Sequence, residues 1–285
     1  MKAIERIVLA GIVLSSISIA LYSQAPEQRA FIAHRAVFGE MDHALSPPSV
    51  EGASGQKDSS AVDVVRKYLV LSGTERWSGF SGSGSFTAGR GEQIKQGTAE
   101  IAIEPNDYTR FDIHYPAGSR SIRLAGPVGA VQQEDGTVLH LPAETATVGI
   151  VLLPITISAL LEDESTSFVD DGMIEVNGTR LHKVTLVRQL PNSSTSPVSL
   201  VHPIATMLLF DPTSHLLLKS VDVLLLPGTN NTKHLRVLTY DDYRDSEGVT
   251  LPYRFTETLD GLPSWTLTLT TASVKSVHQS SYFQF

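Results

Sequence analysis

Four acidic side chains stand within seven positions of the stretch TYDDYRDSEGVTLPYRFTET, Thr239 to Thr258: Asp241, Asp242, Asp245 and Glu247. Carboxylates at that density can hold a divalent cation or share a proton for acid–base work. A calcium loop needs oxygen ligands at alternate positions and a glycine at the sixth, where the backbone wraps the ion. Counting from Asp241, the third position is Tyr243 and the sixth is Ser246, so the pattern fails. The neighbours account for the acids differently. Leu235 and Val237 alternate with polar residues before them, and Val249, Leu251, Tyr253 and Phe255 alternate with Thr250, Pro252, Arg254 and Thr256 after them. With Gly248 to supply the turn, the stretch is expected to be a β-hairpin whose solvated charges lie between two half-buried strands.

The other candidate groups carry no stronger chemistry. GFSGS, Gly79 to Ser83, lacks the closing glycine of a nucleophile elbow, and no phosphate-binding helix follows GFSGSGSFTAGRG. These glycines are expected to let a first strand bend sharply. His114, His140, His182, His202, His215 and His234 are scattered singly, with no H-E-x-x-H. LEDES (Leu161 to Ser165) and VDDG (Val169 to Gly172) are expected to be solvated element ends. Asn177, Asn192 and Asn230 match a glycosylation acceptor, relevant only to a eukaryotic secretory route. No catalytic residue, metal ligand or cofactor site is expected, and the chain is read as a non-enzyme.

Composition narrows the partners. The formal charge is −8, with 30 acidic against 22 basic residues, so no basic surface is at hand to neutralise a phosphate backbone and nucleic acid is excluded. The absence of cysteine removes thiol catalysis, zinc thiolates, disulfides and the acylated cysteine of a lipoprotein. Lys2 and Arg6 precede IVLAGIVLSSISIALY, Ile7 to Tyr22, and Ser23 and Ala25 are small where a signal peptidase would cut. Residues 1–25 are therefore expected to be a signal peptide or, if Pro26 blocks cleavage, an N-terminal anchor to the inner membrane through residues 7–22. Export to the periplasm or cell envelope follows in both cases.

The elements that position these residues fall into three parts. Residues 26–59 are rich in Ser, Gly and Pro and are expected to form a flexible tether. In SSAVDVVRKYLVLSG, Ser60 is the expected cap, Asp63 completes a capping box, and Ala61, Val64, Val65, Tyr68 and Leu69 recur at helical spacing until Gly73. From Thr74 the period changes to two. Ala99, Ile101 and Ile103, then Thr109, Phe111, Ile113 and Tyr115, then Ile122 and Leu124, and later Trp265, Leu267 and Leu269 each alternate with polar neighbours. EPND, EDG, VNG, FDPTSH, LPGTNN and LDGLP punctuate them as turns. One segment breaks the rhythm: TATVGIVLLPITISALLEDE, Thr145 to Glu164, apolar from Val148 to Leu161 and split by Pro154. Two short buried helices around the proline, or a strand or loop inside the sheet's concavity, both fit it.

Together, KYLVLSGTERW, AEIAIEPNDYTRFDI, the apolar insert, LLFDPTSHLLLKSV and VLTYDDYRDSEGVTLPYRF resemble the LolA/LolB-like outer-membrane lipoprotein carriers and their periplasmic relatives, over residues 60–285. The resemblance implies a mainly β domain: one curved antiparallel sheet, an unclosed β-barrel of about eleven strands, with a few helices covering its concave face. It also implies a hydrophobic hollow that holds acyl chains. The expected function is an exported, non-catalytic protein binding a lipid or lipoprotein acyl chain. The alternative is a periplasmic structural or protein-interaction module with a filled core, and an envelope protein as partner stays open. Alternation places Phe111, Ile113, Tyr253, Phe255 and Trp265 in one concavity as candidate ligand-binding residues, with the insert around Pro154 at its mouth as a plug or gate.

Overall fold

The computed structural model describes residues 55–89, 94–105, 108–126, 128–141, 146–147, 149–189, 203–225, 233–246 and 248–284. The expected signal or anchor (1–25), most of the tether, and His202, Asn192, Asn230 and Glu247 lie outside the described residues. Residues 55–58, at the end of the expected tether, are held against the sheet. Gln56 and Asp58 exchange backbone bonds with Phe168, both at 2.9 Å, and the Lys57 ammonium donates to the Leu161 carbonyl at 2.7 Å.

Helix α1 spans Ser59–Leu71 and buries Ala61, Val65, Tyr68 and Leu69, one stripe at helical spacing. Its N-cap is Asp58, not Ser60, and no side chain caps it. Ser72 and Gly73 end it, with Gly73 at φ 60, the left-handed conformation a helix terminus asks of glycine.

Thirteen strands then form one antiparallel sheet: β1 (Phe80–Ala88), β2 (Lys95–Glu104), β3 (Tyr108–Tyr115), β4 (Gly118–Ala125), β5 (Val128–Gln132), β6 (Val138–Leu141), β7 (Ser167–Val176), β8 (Thr179–Arg188), β9 (Ile204–Phe210), β10 (Leu217–Leu225), β11 (Lys233–Ser246), β12 (Val249–Leu259) and β13 (Leu262–Ser273). Their order is β6-β5-β4-β3-β2-β1-β13-β12-β11-β10-β9-β8-β7. Every neighbour is a hairpin partner except β1 with β13, the pairing that joins two meanders. The count exceeds the eleven or so that the resemblance implies, and β5 and β6 are the two shortest strands. Bends come where the sequence supplies glycine. Strand β1 shifts register against β13 between Ser83 and Gly84, and a Cβ at Gly84 would lie 2.0 Å from the Thr268 carbonyl oxygen.

The sheet is strongly curled. Phe111 on β3 and Trp265 on β13 are three strand steps apart, about 14 Å in a flat sheet, yet their ring centroids are 6.0 Å apart. The barrel does not close: β6 and β7 are the edge strands, β7 bridged at Phe168 by the segment around Lys57, and the chain between them carries the apolar insert. Among its described residues, Ala146 and Thr147 are helical ahead of the proline, and a longer helix opens at the proline itself. Val151, Leu152 and Leu153 run irregularly and buried, and Pro154 opens α2 (Pro154–Glu162) at its first position, where its missing N–H costs nothing.

The concave face carries the main core, including Phe80, Phe86, Phe111, Ile113, Phe168, Phe210, Tyr240, Phe255 and Leu267, with α1 and the insert as its roof. The opposite face of β7 to β10 carries a second buried cluster: Val176, Leu181, Met207, Leu209 and Val221. Leu235 and Val237 join this outer cluster, so they lie on the face opposite to Val249, Leu251, Tyr253 and Phe255. Register shows why. Tyr240 is the cross-strand partner of Phe255 and Leu238 that of Glu257, so the inward residues of β11 are Arg236, Leu238 and Tyr240. The acids Asp241, Asp242 and Asp245 lie within β11 itself, not in a connecting turn.

Candidate functional site

Under the insert lies a cavity of about 50 Å³. One wall is apolar, formed by Phe111, Ile122, Leu124 and Leu141 with Ile150 above and Trp265 beside them. Leu141 on β6 and Leu224 on β10 both line it, so the curled sheet brings nearly opposite ends together here. The other wall is charged. Arg236 faces Asp222 on the neighbouring strand, donating from Nε at 2.9 Å and Nη2 at 2.7 Å in a fork. The Arg236 side chain is 7% exposed and that of Asp222 1%. The third donor contact, Arg236 Nη1 to the Gly149 carbonyl at 2.8 Å, ties the insert to the sheet.

Glu257 completes the charged wall, with Oε2 3.9 Å from Arg236 Nη1 and Oε1 accepting from the Ser264 hydroxyl at 2.7 Å. Burial pushes its carboxyl above the ordinary value. Arg236 and the Ser264 hydroxyl offset part of that, and Asp222 adds to it. For Arg236 burial works against the charge, but the Asp222 carboxylate outweighs it and the guanidinium is held more firmly protonated than usual. Nearby, Tyr240 accepts the Leu152 N–H at 3.0 Å and meets the Ser220 hydroxyl at 3.2 Å. Burial lifts its phenol to about 12, so it stays a neutral hydrogen-bonding group. A second cavity of about 10 Å³ lies on the far side of Gly149 and Leu152, lined by Thr109, Thr156 and Arg188.

A scan against protein-family models and a search of curated proteins found no match. Among solved structures, the chain is similar to a LolA superfamily protein from Nitrosomonas europaea, with a TM-score of 0.52 at 12% identity, covering 79% of this chain and 97% of that one. The chain has a LolA-like fold. A DUF1329 family protein from Desulfovibrio piger (TM-score 0.48, 8% identity, 79% of this chain and 97% of that one) also matches. So does an outer membrane lipoprotein-sorting protein domain from Vibrio parahaemolyticus (0.46, 10%, 77% and 97%). At those scores the last two add nothing to the assignment.

On this LolA-like frame the five residues expected in the concavity have distinct places. Phe111 and Trp265 line the cavity and, with Phe86, form an aromatic group with centroids 5.6 to 6.0 Å apart. Ile113 is fully buried opposite Ala99 and Arg120. Phe255 packs edge-on against Tyr240 at 5.9 Å, away from the cavity lining. Tyr253 lies toward the far end of β12, under the Arg244 guanidinium at 4.3 Å. Periodicity missed Asp222, Arg236 and Glu257. The available signal was parity: Glu257 continues the dry series Tyr253, Phe255, Leu259 on β12.

The remaining candidate groups are structural. His182 Nε2 meets Asp170 at 2.7 Å and His234 Nδ1 meets Asp260 at 2.7 Å, each across one hairpin. Asp170 and Asp171 lie inside edge strand β7, not at an element end, and the register shift there reaches Gly172. Inward or bulged charges on an edge discourage pairing with another chain. Among the described residues no group of three His, Asp or Glu gathers at metal-binding distance, and no helix is long and apolar enough to cross a membrane.

Proposed function

We propose that the protein is an exported, non-catalytic carrier that takes the acyl chain of a lipid or lipoprotein between the concave face of its sheet and the insert. The observation that carries this reading is the roof: an apolar segment, Val151 to Leu160, lies over the mainly apolar concave face, and among the described residues the insert is tied to the sheet by Arg236 to Gly149 and Leu152 to Tyr240. An acyl chain replacing the roof would exchange one apolar contact for another, and each buried methylene contributes about 0.8 kcal/mol. The Lys2/Arg6 start with its apolar run supports export, and the LolA-like fold supports a carrier over an enzyme.

The small size of the cavity favours a second reading, a filled scaffold with a protein partner. A space of about 50 Å³ takes a few water-sized groups, well short of the roughly 150 Å³ in which benzene binds. Roof movement therefore decides between the two. The chain has no cysteine, so Ile157→Cys places a single thiol on the fully buried face of α2. Its maleimide labelling in the full chain should accelerate several-fold when a fluorescent acyl analogue binds. An unchanged rate at saturating analogue, or no binding, supports the filled scaffold instead.

A further inference from the structure

We propose that the cavity beside Trp265 seats the carbonyl end of an uncharged acyl ester or amide and turns away the free carboxylate of a fatty acid, with Glu257 setting the preference. This rests on the reading of the concave face as an acyl-chain site. The argument is one of charge count at close range. One guanidinium, Arg236, faces two carboxyl groups, and its fork is already taken by Asp222 at 2.9 and 2.7 Å. Glu257 stands 3.9 Å from the remaining nitrogen. An anion entering here would lose its hydration and meet carboxylates that already match or outnumber the cation.

A neutral carbonyl meets no such penalty. The group that Arg236 Nη1 does hold is a neutral backbone carbonyl, that of Gly149 at 2.8 Å, so an ester or amide oxygen could take its place like for like. Phe111, Ile122 and Leu124 then face the first methylenes of the chain. A further buried cation, Arg188, lines the smaller cavity beyond Gly149, where it has partners of its own.

Displacement of a bound fluorescent acyl analogue from the full chain at neutral pH tests this with three competitors: dodecanoic acid, its glycerol monoester, and a diacylglyceryl lipopeptide. The monoester should compete at about tenfold lower concentration than the acid, the margin expected when one partner leaves a buried charge uncompensated. In Glu257→Gln, near-isosteric and uncharged, the gap should shrink because the acid improves. Displacement by either ester supports the proposal, and the tighter of the two assigns the source to free lipid or to lipoprotein. An acid that matches the ester in the unmodified chain overturns it without recourse to any variant, as does a gap unchanged in Glu257→Gln. In both cases analogue binding persists and the acyl-chain reading stands. Failure of the analogue to bind at all removes that reading and this inference with it.

Discussion

Strand β11 supplies the arginine of two arginine–aspartate pairs of nearly the same geometry in opposite environments. Arg236 grips Asp222 at 2.7 and 2.9 Å with side chains 7% and 1% exposed. Eight residues on, Arg244 grips Asp242 at 2.6 and 3.2 Å with side chains 48% and 40% exposed. Distance alone would rank them equal. Burial separates them, because a desolvated charge depends on its partner while a hydrated one has water in reserve. The inner pair puts Arg236 in the cavity wall and, through it, holds the roof; the outer pair decorates a solvated arm. A single strand thus serves both the interior and the surface.

The largest effect should come from breaking the inner pair on one side. Asp222→Ala leaves Arg236 buried without its fork partner, and a cost of about 3–5 kcal/mol is expected in urea denaturation. Replacing Arg236, Asp222 and Glu257 together by Met, Leu and Gln should be close to neutral or stabilising, since the desolvation of the charges disappears with them. A triple variant as unstable as Asp222→Ala would mean that the pair contributes net stability and that the comparison with Arg244 rests on something other than desolvation.

The same strand shows what the sequence could and could not convey. Alternation located β3, β4 and β12 because those strands have one wet and one dry face. Ile101, Phe111, Ile122, Phe255 and Leu267 are all buried in the main cluster. On β11 it chose the wrong parity. Leu235 and Val237 are apolar because the outer face of β7 to β10 has its own cluster, so both parities read as dry and only the opposition of Tyr240 to Phe255 reveals which points inward. The cavity's charged wall was hidden for the same reason: Arg236 and Asp222 sit next to apolar residues and look like the polar half of an alternation. Pro154 was legible as a break, but whether it ends a helix or starts one depends on the chain before it, and here it starts α2.

A pH profile sharpens the comparison at an intermediate scale. Burial raises the Glu257 carboxyl above its ordinary 4.5. Between that value and its folded one the native state binds the extra proton, so stability falls as pH rises through the window, and below it the group contributes nothing. Carboxyls held low by hydrogen bonds, such as Asp163, whose burial is outweighed by Ser165 and Thr166, act in the opposite sense and at lower pH. The difference between unmodified chain and Glu257→Gln isolates the buried group. Urea midpoints taken across the acidic to neutral range should show the variant losing less stability on the way up. Parallel profiles would place the Glu257 carboxyl in its ordinary range and return it to the company of exposed acids.

The smallest effect belongs to the outer pair, and there the backbone has to be separated from the charge. Asp242 sits at φ 52, a left-handed conformation inside a strand, where aspartate and asparagine are tolerated because a short polar side chain can bond locally, while alanine is strained. Its amide also donates to the Asp241 carboxylate at 2.7 Å. Asp242→Asn removes the ion pair with Arg244 and keeps the local backbone preference, so its thermal midpoint should match that of the unmodified chain within error. Asp242→Ala removes the same charge and should lower the midpoint measurably. If the two variants fall together, the Arg244 pair is worth more than exposure allows, and environment would not be what divides the two ends of β11. A calcium-dependent rise in the midpoint, lost in Asp242→Asn, would instead make the acidic arm a ligand site that its spacing denies.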